Sequence, residues 1–123
     1  MDFTTSGANY PINHIKDSWA EWIGADAAAK FAEWGYFSTD FKLPGGKGSS
    51  GSKVISLNTQ AANNMNWYLP GFKNDPGNHI AWLENELKSI EEAGGYAYII
   101  GHIMPKEFIE VFGGRYQALM ERY

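Results

Sequence analysis

Tyr96-Ala97-Tyr98-Ile99-Ile100-Gly101-His102 is the stretch on which the reading of this chain turns. It is short, continuous, apolar and made of β-favouring residues, which predicts a buried strand flanked on both faces. A glycine and an imidazole at its carboxyl end fall where open α/β sheets place ligands, in the crevice beyond the strand ends. Neutral imidazole is also the commonest metal ligand among side chains. His102 is therefore the candidate metal ligand. One histidine does not make a metal site, so a structural role stays open beside that reading.

Upstream of the strand, Asp75-Pro76 predicts a helix start, with Asp as cap and Pro at the first helical position. Ile80, Leu83, Leu87 and Ile90 supply its buried stripe, and Gly94-Gly95 ends it. Downstream, Phe112, Tyr116, Leu119, Met120 and Tyr123 predict a closing helix. Lys53 to Asn58 and Tyr36 to Phe41 are short strand candidates. The glycine- and serine-rich stretch from Leu43 to Ser52 reads as a flexible excursion joining them as an antiparallel pair. Asp17 or Ser18 can cap an earlier helix running to about Glu33, with Trp19, Trp22, Ile23, Ala27, Phe31 and Trp34 at helical spacing and Gly35 as its end. Residues 1–16 and 59–72 read as loops. The order helix, strand, strand, helix, strand, helix predicts a layered α/β segment over 1–123.

The 123 residues correspond to one domain or a piece of one, and a 44% hydrophobic composition suffices for a core. A net charge of −4 without a basic stripe argues against a nucleic-acid partner. No stretch approaches the roughly 20 apolar residues that cross a bilayer. Cysteine is absent, which removes disulfide and thiolate chemistry. Met1 to Ser6 lacks the basic and apolar regions of a signal peptide.

Other polar groups carry less. His14 precedes the first helix and reads as a surface or supporting residue. Gly77-Asn78-His79 superficially matches the Gly-Asn-His metal loop of phosphoesterases. The flanking Asp75-Pro76 and Ile80 instead place His79 in the first turn of a helix, pointing outward. Glu84, Glu86, Glu91 and Glu92 read as the solvated face of that helix. Glu107 and Glu110 flank the region after His102 with nothing to position them. Asn63 to Tyr68 reads either as ligand-contacting or as a loop satisfying its own backbone. No Walker-type loop, nucleophile elbow or paired-cysteine motif occurs, so the catalytic residues stay unknown.

Several strings resemble the later half of acid sphingomyelinase-like phosphodiesterases, of the calcineurin-like metallophosphoesterase superfamily. They are Asn13-His14-Ile15-Lys16-Asp17-Ser18-Trp19, Val54-Ile55-Ser56-Leu57-Asn58-Thr59-Gln60, Asp75-Pro76-Gly77-Asn78 with Ala81-Trp82-Leu83, Tyr98-Ile99-Ile100-Gly101-His102-Ile103 and Arg115 to Tyr123. The resemblance implies part of a four-layer αββα sandwich and hydrolysis of phosphodiester bonds in sphingomyelin or nucleotide-like substrates. It implies two zinc ions in the full-length protein, of whose ligand motifs only Gly101-His102 has a match here. The chain is expected to begin after the family's Gly-Asn-His loop and to stop before its Gly-His-x-His, and so to be inactive alone. The family's disulfide positions correspond to Ala62 and Phe108, and Met104 stands ahead of Pro105 where the family has a proline pair. A secreted or lysosomal setting, the missing remainder of the domain and self-association through uncovered sheet edges are implied as well. The competing reading is a non-catalytic binding module that kept the scaffold without the metal centre.

Overall fold

The computed structural model describes residues 10–41, 51–67, 69 and 75–123. Its centre is a three-stranded mixed sheet in the order β1 (Phe37–Asp40), β2 (Lys53–Ser56), β3 (Ala97–Ile100). β1 and β2 pair antiparallel, as the two short apolar runs predict; most of the excursion between them lies outside the described residues. β2 and β3 pair parallel, with α3 (His79–Glu92) in the connection between them. Parallel pairing requires such a crossover, and a helix with an apolar stripe supplies it while covering the sheet.

Register assigns the faces. Ser38, Ile55 and Ile99 share one row, as do Asp40, Lys53 and Ala97, on the side that α3 covers. There Ile55, Leu57, Leu83, Leu87 and Ile90 form the main core, with Tyr116, Leu119 and Met120 of α4 (Glu110–Arg122) against it. Each such buried aliphatic contributes about 1.5–3 kcal/mol. Glu86 is not part of a solvated face: its half-buried carboxylate accepts from Ser38 at 2.9 Å and pairs with Lys53 at 2.8 Å. It satisfies the polar members of the helix-facing rows.

The opposite side carries Phe37, Ser56 and Ile100 in one row and Thr39, Val54 and Tyr98 in the next. Among the described residues only its β1 end is packed by helix, through Ala27, Phe31 and Phe37 with Ile12, Ile15 and Ile23. β3 is therefore not buried on both faces as its composition predicts. Its residues alternate half-buried and exposed, because Ala97 and Ile99 meet the main core while Tyr98 and Ile100 stand open.

The amino-terminal helix also departs from expectation. Residues 10–16 are helical rather than loop, and two helices, α1 (Tyr10–Ile23) and α2 (Ala25–Trp34), replace the single one, so the order begins helix, helix. Gly24 separates them at φ 88°, a conformation that glycine adopts without steric cost. Its N–H still donates to Ala20 and its carbonyl accepts from Ala28, each at 3.0 Å, so the break leaves no orphaned backbone. Trp22 faces solvent, 80% exposed, while Ile12, Ile15 and Ile23 pack inward.

α3 ends as predicted. Gly94 takes φ 66°, its N–H reaches the Glu91 carbonyl at 3.0 Å, and that of Gly95 reaches Ile90 at 2.9 Å. This is the paired bonding of a Schellman motif.

Candidate functional site at the carboxyl ends of the parallel strands

Parallel pairing brings the ends of β2 and β3 together, and the bond from the Leu57 N–H to the Ile100 carbonyl, 2.9 Å, closes the ladder. Immediately beyond, the buried Thr59 Oγ1 accepts from the backbone N–H groups of both His102, at 3.1 Å, and Ile103, at 2.8 Å. Two donors on one oxygen fix the turn that carries the imidazole. Gly101 permits that approach, since a Cβ there would stand 2.7 Å from Thr59 Cγ2. His102 itself is exposed, on the rim of a hollow of about 210 Å³ lined by Leu57, Thr59, Ile99, Met104 and Tyr116. The ring is thus at the open end of the sheet rather than packed into the interior.

Thr59 had not been singled out from the sequence. The available signal was a hydroxyl residue directly after a strand, where such side chains capture nearby backbone groups.

The remaining polar candidates do not gather around His102. Glu107 lies in a 3-10 turn, Pro105–Glu107, and meets Asn64 at 3.4 Å; Glu110 starts α4. Glu84 pairs with Lys88, and Glu91 with Arg122. Asn63 accepts from the Met65 N–H and Asn66 donates to the Gln60 carbonyl, so this segment bonds its own backbone; Tyr68 lies outside the described residues. Among the described residues no group of three or more histidine, cysteine, aspartate or glutamate side chains is placed to hold a metal ion. His14 sits exposed in α1 with its ring against Tyr10.

His79 does not point outward. It is 1% exposed, lies 4.4 Å from the Tyr36 ring at an interplanar angle of 8°, and touches Trp82 and Phe112. Neither ring nitrogen has a hydrogen-bond partner among the described residues. Burial alone pushes its pKa down to about 3. The turn before α3 explains the inward aim. Pro76–Asn78 form a 3-10 turn with Gly77 at φ 66° and Asn78 at φ 51°, so the helix starts at His79 rather than Pro76. Asp75 still caps it, both carboxylate oxygens accepting at 2.9 Å from the N–H groups of Ile80 and Ala81. Tyr36 anchors the turn by donating its hydroxyl to the Gly77 carbonyl at 2.6 Å. Burial first, then the charges of Asp75 and Glu33, push that phenol up to about 12.

Ala62 and Phe108, far apart in sequence, are neighbours. Both are buried in one apolar cluster, and the Ile109 N–H donates to the Ala62 carbonyl at 2.8 Å beside an isolated bridge between Asn63 and Phe108.

No protein-family model matches the chain. Curated proteins do. It is 30% identical over 119 residues to sphingomyelin phosphodiesterase B of Dictyostelium discoideum, covering 95% of this chain and 18% of that protein. It is 31% identical over 103 residues to human acid sphingomyelinase-like phosphodiesterase 3b, covering 84% of this chain and 22% of that protein. With the sphingomyelin phosphodiesterase of Bos taurus it shares 28% over 109 residues, or 89% of this chain and 16% of the relative. The chain thus spans about a fifth of the length of the curated relatives it matches. By sequence, over the stretch it spans, this chain belongs with the acid sphingomyelinase-like phosphodiesterases.

Proposed function

We propose that this chain is a segment of a metal-dependent phosphodiesterase, and that His102 is the metal ligand it contributes to a centre completed by residues outside it. The observation that carries this reading is the placement of His102: exposed, at the carboxyl end of a parallel strand, with its backbone held by Thr59. The kinship with proteins named sphingomyelin phosphodiesterases supports a phosphodiester substrate, with a lipid head group or a nucleotide-like group as its variable part. In this reading the sheet and its helices form part of the four-layer αββα sandwich, in a secreted or lysosomal protein.

The residues present do not fit a zinc centre by themselves, because among the described residues His102 belongs to no group of three or more histidine, cysteine, aspartate or glutamate side chains placed to hold a metal ion. Two zinc ions, bound in the full-length protein, would activate a water and neutralise charge on the phosphoryl group. What this chain supplies is an exposed imidazole on a turn whose backbone Thr59 holds. No helix in the described residues is long and apolar enough to cross a membrane.

A chimera tests the reading. This chain replaces the matching stretch of the Dictyostelium sphingomyelin phosphodiesterase B, and hydrolysis of a chromogenic phosphodiester is measured with zinc present. Activity is expected to survive, and His102→Ala to lower it by at least about 100-fold, since even outer-shell partners of metal ligands are worth about 10–100-fold. The 123-residue chain alone is expected to show no turnover that depends on His102. An active chimera indifferent to His102→Ala would remove the assignment; an inactive one with unchanged folding would favour the non-catalytic module.

A further inference from the structure

His79 is a buried titratable group that the phosphodiesterase reading leaves unused, and side chains of this chain alone suffice to bury it. Its ring is enclosed by Tyr36, Trp82 and Phe112, and among the described residues neither nitrogen finds a partner. A stacked cation gains from aromatic faces, but at 1% exposure the loss of water outweighs that gain. The ring also belongs to the first residue of α3, at the positive end of the helix dipole, which disfavours a cation again. Directly before it, Gly77 at φ 66° and Asn78 at φ 51° occupy the left-handed region. One side chain, Tyr36, both stacks on the ring and ties that turn through its hydroxyl on the Gly77 carbonyl.

The charged and titratable groups around this junction are engaged elsewhere or exposed. Lys30 and Glu33 of α2 pair at 2.9 Å, with the Lys30 ammonium 5.4 Å from the Tyr36 ring centre. Both Asp75 carboxylate oxygens accept from the α3 backbone, and Glu84 pairs with Lys88. On α4, Glu110 and Arg115 are exposed, and burial pushes the Tyr116 phenol up, which keeps it neutral.

From this arrangement we infer that residues 75–79 form an acid-operated hinge. Protonation drives the His79 ring out of its aromatic cage by rotation about Gly77 and Asn78, while the sheet and the body of α3 stay folded. The proton comes from solvent and returns to it on neutralisation. Ring and turn move together, because a ring leaving the stack also draws the Gly77 carbonyl off the Tyr36 hydroxyl. The motion stays local because Leu83, Leu87 and Ile90 hold α3 on the main core, apart from the cage. Burial lowers the His79 pKa from 6.5 to about 3 in the closed form, so opening should grow about tenfold per pH unit between those values. This inference is independent of the role of His102.

Amide exchange of the purified chain at stepped pH, corrected for intrinsic rates, tests it. The Asn78, Ile80 and Ala81 N–H groups all bond to Asp75 and report the hinge. Their opening should rise about tenfold per pH unit between about pH 6 and 4.5 and depend only weakly on urea. Lys53 and Leu57, in the ladder between β2 and β3, should exchange more slowly and with the full urea dependence of global unfolding. His79→Phe should abolish the acid response at the hinge. Tyr36→Phe should raise opening at every pH and keep the acid slope. Imidazole NMR of the unsubstituted chain reads the ring directly, and its protonation should rise in step with hinge opening. Hinge and strand amides sharing one urea dependence at about pH 4.5 overturn the proposal. So does an acid response that survives His79→Phe, or a ring that protonates while Ile80 and Ala81 stay protected.

Discussion

His79 and His102 each sit at the end of a secondary-structure element, one at the first position of α3 and the other just beyond β3, yet the two rings live in opposite conditions. His79 is sealed in an aromatic stack with both nitrogens unpartnered among the described residues, and burial holds it neutral. His102 is exposed, and the hydrogen bonds around it act on its backbone rather than its ring. The contrast shows that an imidazole's chemistry is set by what the tertiary structure packs against it. The buried ring behaves as an apolar wedge with a titration liability, while the exposed one meets solvent.

Acid should break the pair apart most strongly. The folded His79 pKa lies near 3 against an ordinary 6.5, so above pH 6.5 neither folded nor unfolded chain is protonated there and the group adds nothing. As the pH falls from 6.5 toward 3, the unfolded chain binds a proton that the folded chain refuses. Stability should therefore fall, by roughly 3 kcal/mol at pH 4 and about 4 kcal/mol at pH 3. Urea denaturation at stepped pH measures this. His79→Phe, which keeps a ring in the stack, should flatten the profile, and a parallel profile in that variant would refute the account.

Thr59→Val comes next in size. It leaves the His102 and Ile103 N–H groups without their acceptor and should cost about 1–3 kcal/mol. Amide hydrogen exchange at those two positions should quicken, with Thr59→Ser retaining protection. Unchanged exchange in the valine variant would mean that the turn is held otherwise. Tyr36→Phe deletes the bond to Gly77 and should cost about 1 kcal/mol in chemical denaturation while leaving the ring stack intact. His102→Ala should be smallest, within about 0.5 kcal/mol, because the ring supports no core. A larger loss would show that His102 is structural after all.

Much of the architecture was legible because it rests on local pattern. Ile80, Leu83, Leu87 and Ile90 mark a buried helical stripe whatever surrounds them, and Gly94-Gly95 ends that helix by its own backbone geometry. Gly24 was not legible as a break, since an isolated glycine inside a helical pattern is ordinarily tolerated. The inward turn of His79 depends on Gly77 and Asn78 both adopting positive φ, which a Pro-first helix start does not suggest. Ala62 and Phe108 came to notice only through the resemblance. Their apolar contact and the backbone bond beside it join two segments distant in sequence.

By itself, the order of residues determined the strand ending in Gly101-His102, the crossover helix before it, the antiparallel pair upstream and the kinship with sphingomyelin phosphodiesterases. Periodicity, caps and short strings act over a few residues, and they survive any arrangement of the rest. Only the tertiary structure decided which face of β3 stays open, that Thr59 holds the turn under His102, and that His79 is buried. Those outcomes depend on contacts between segments distant in sequence, such as Thr59 with His102 and Tyr36 with His79, which local spacing does not encode.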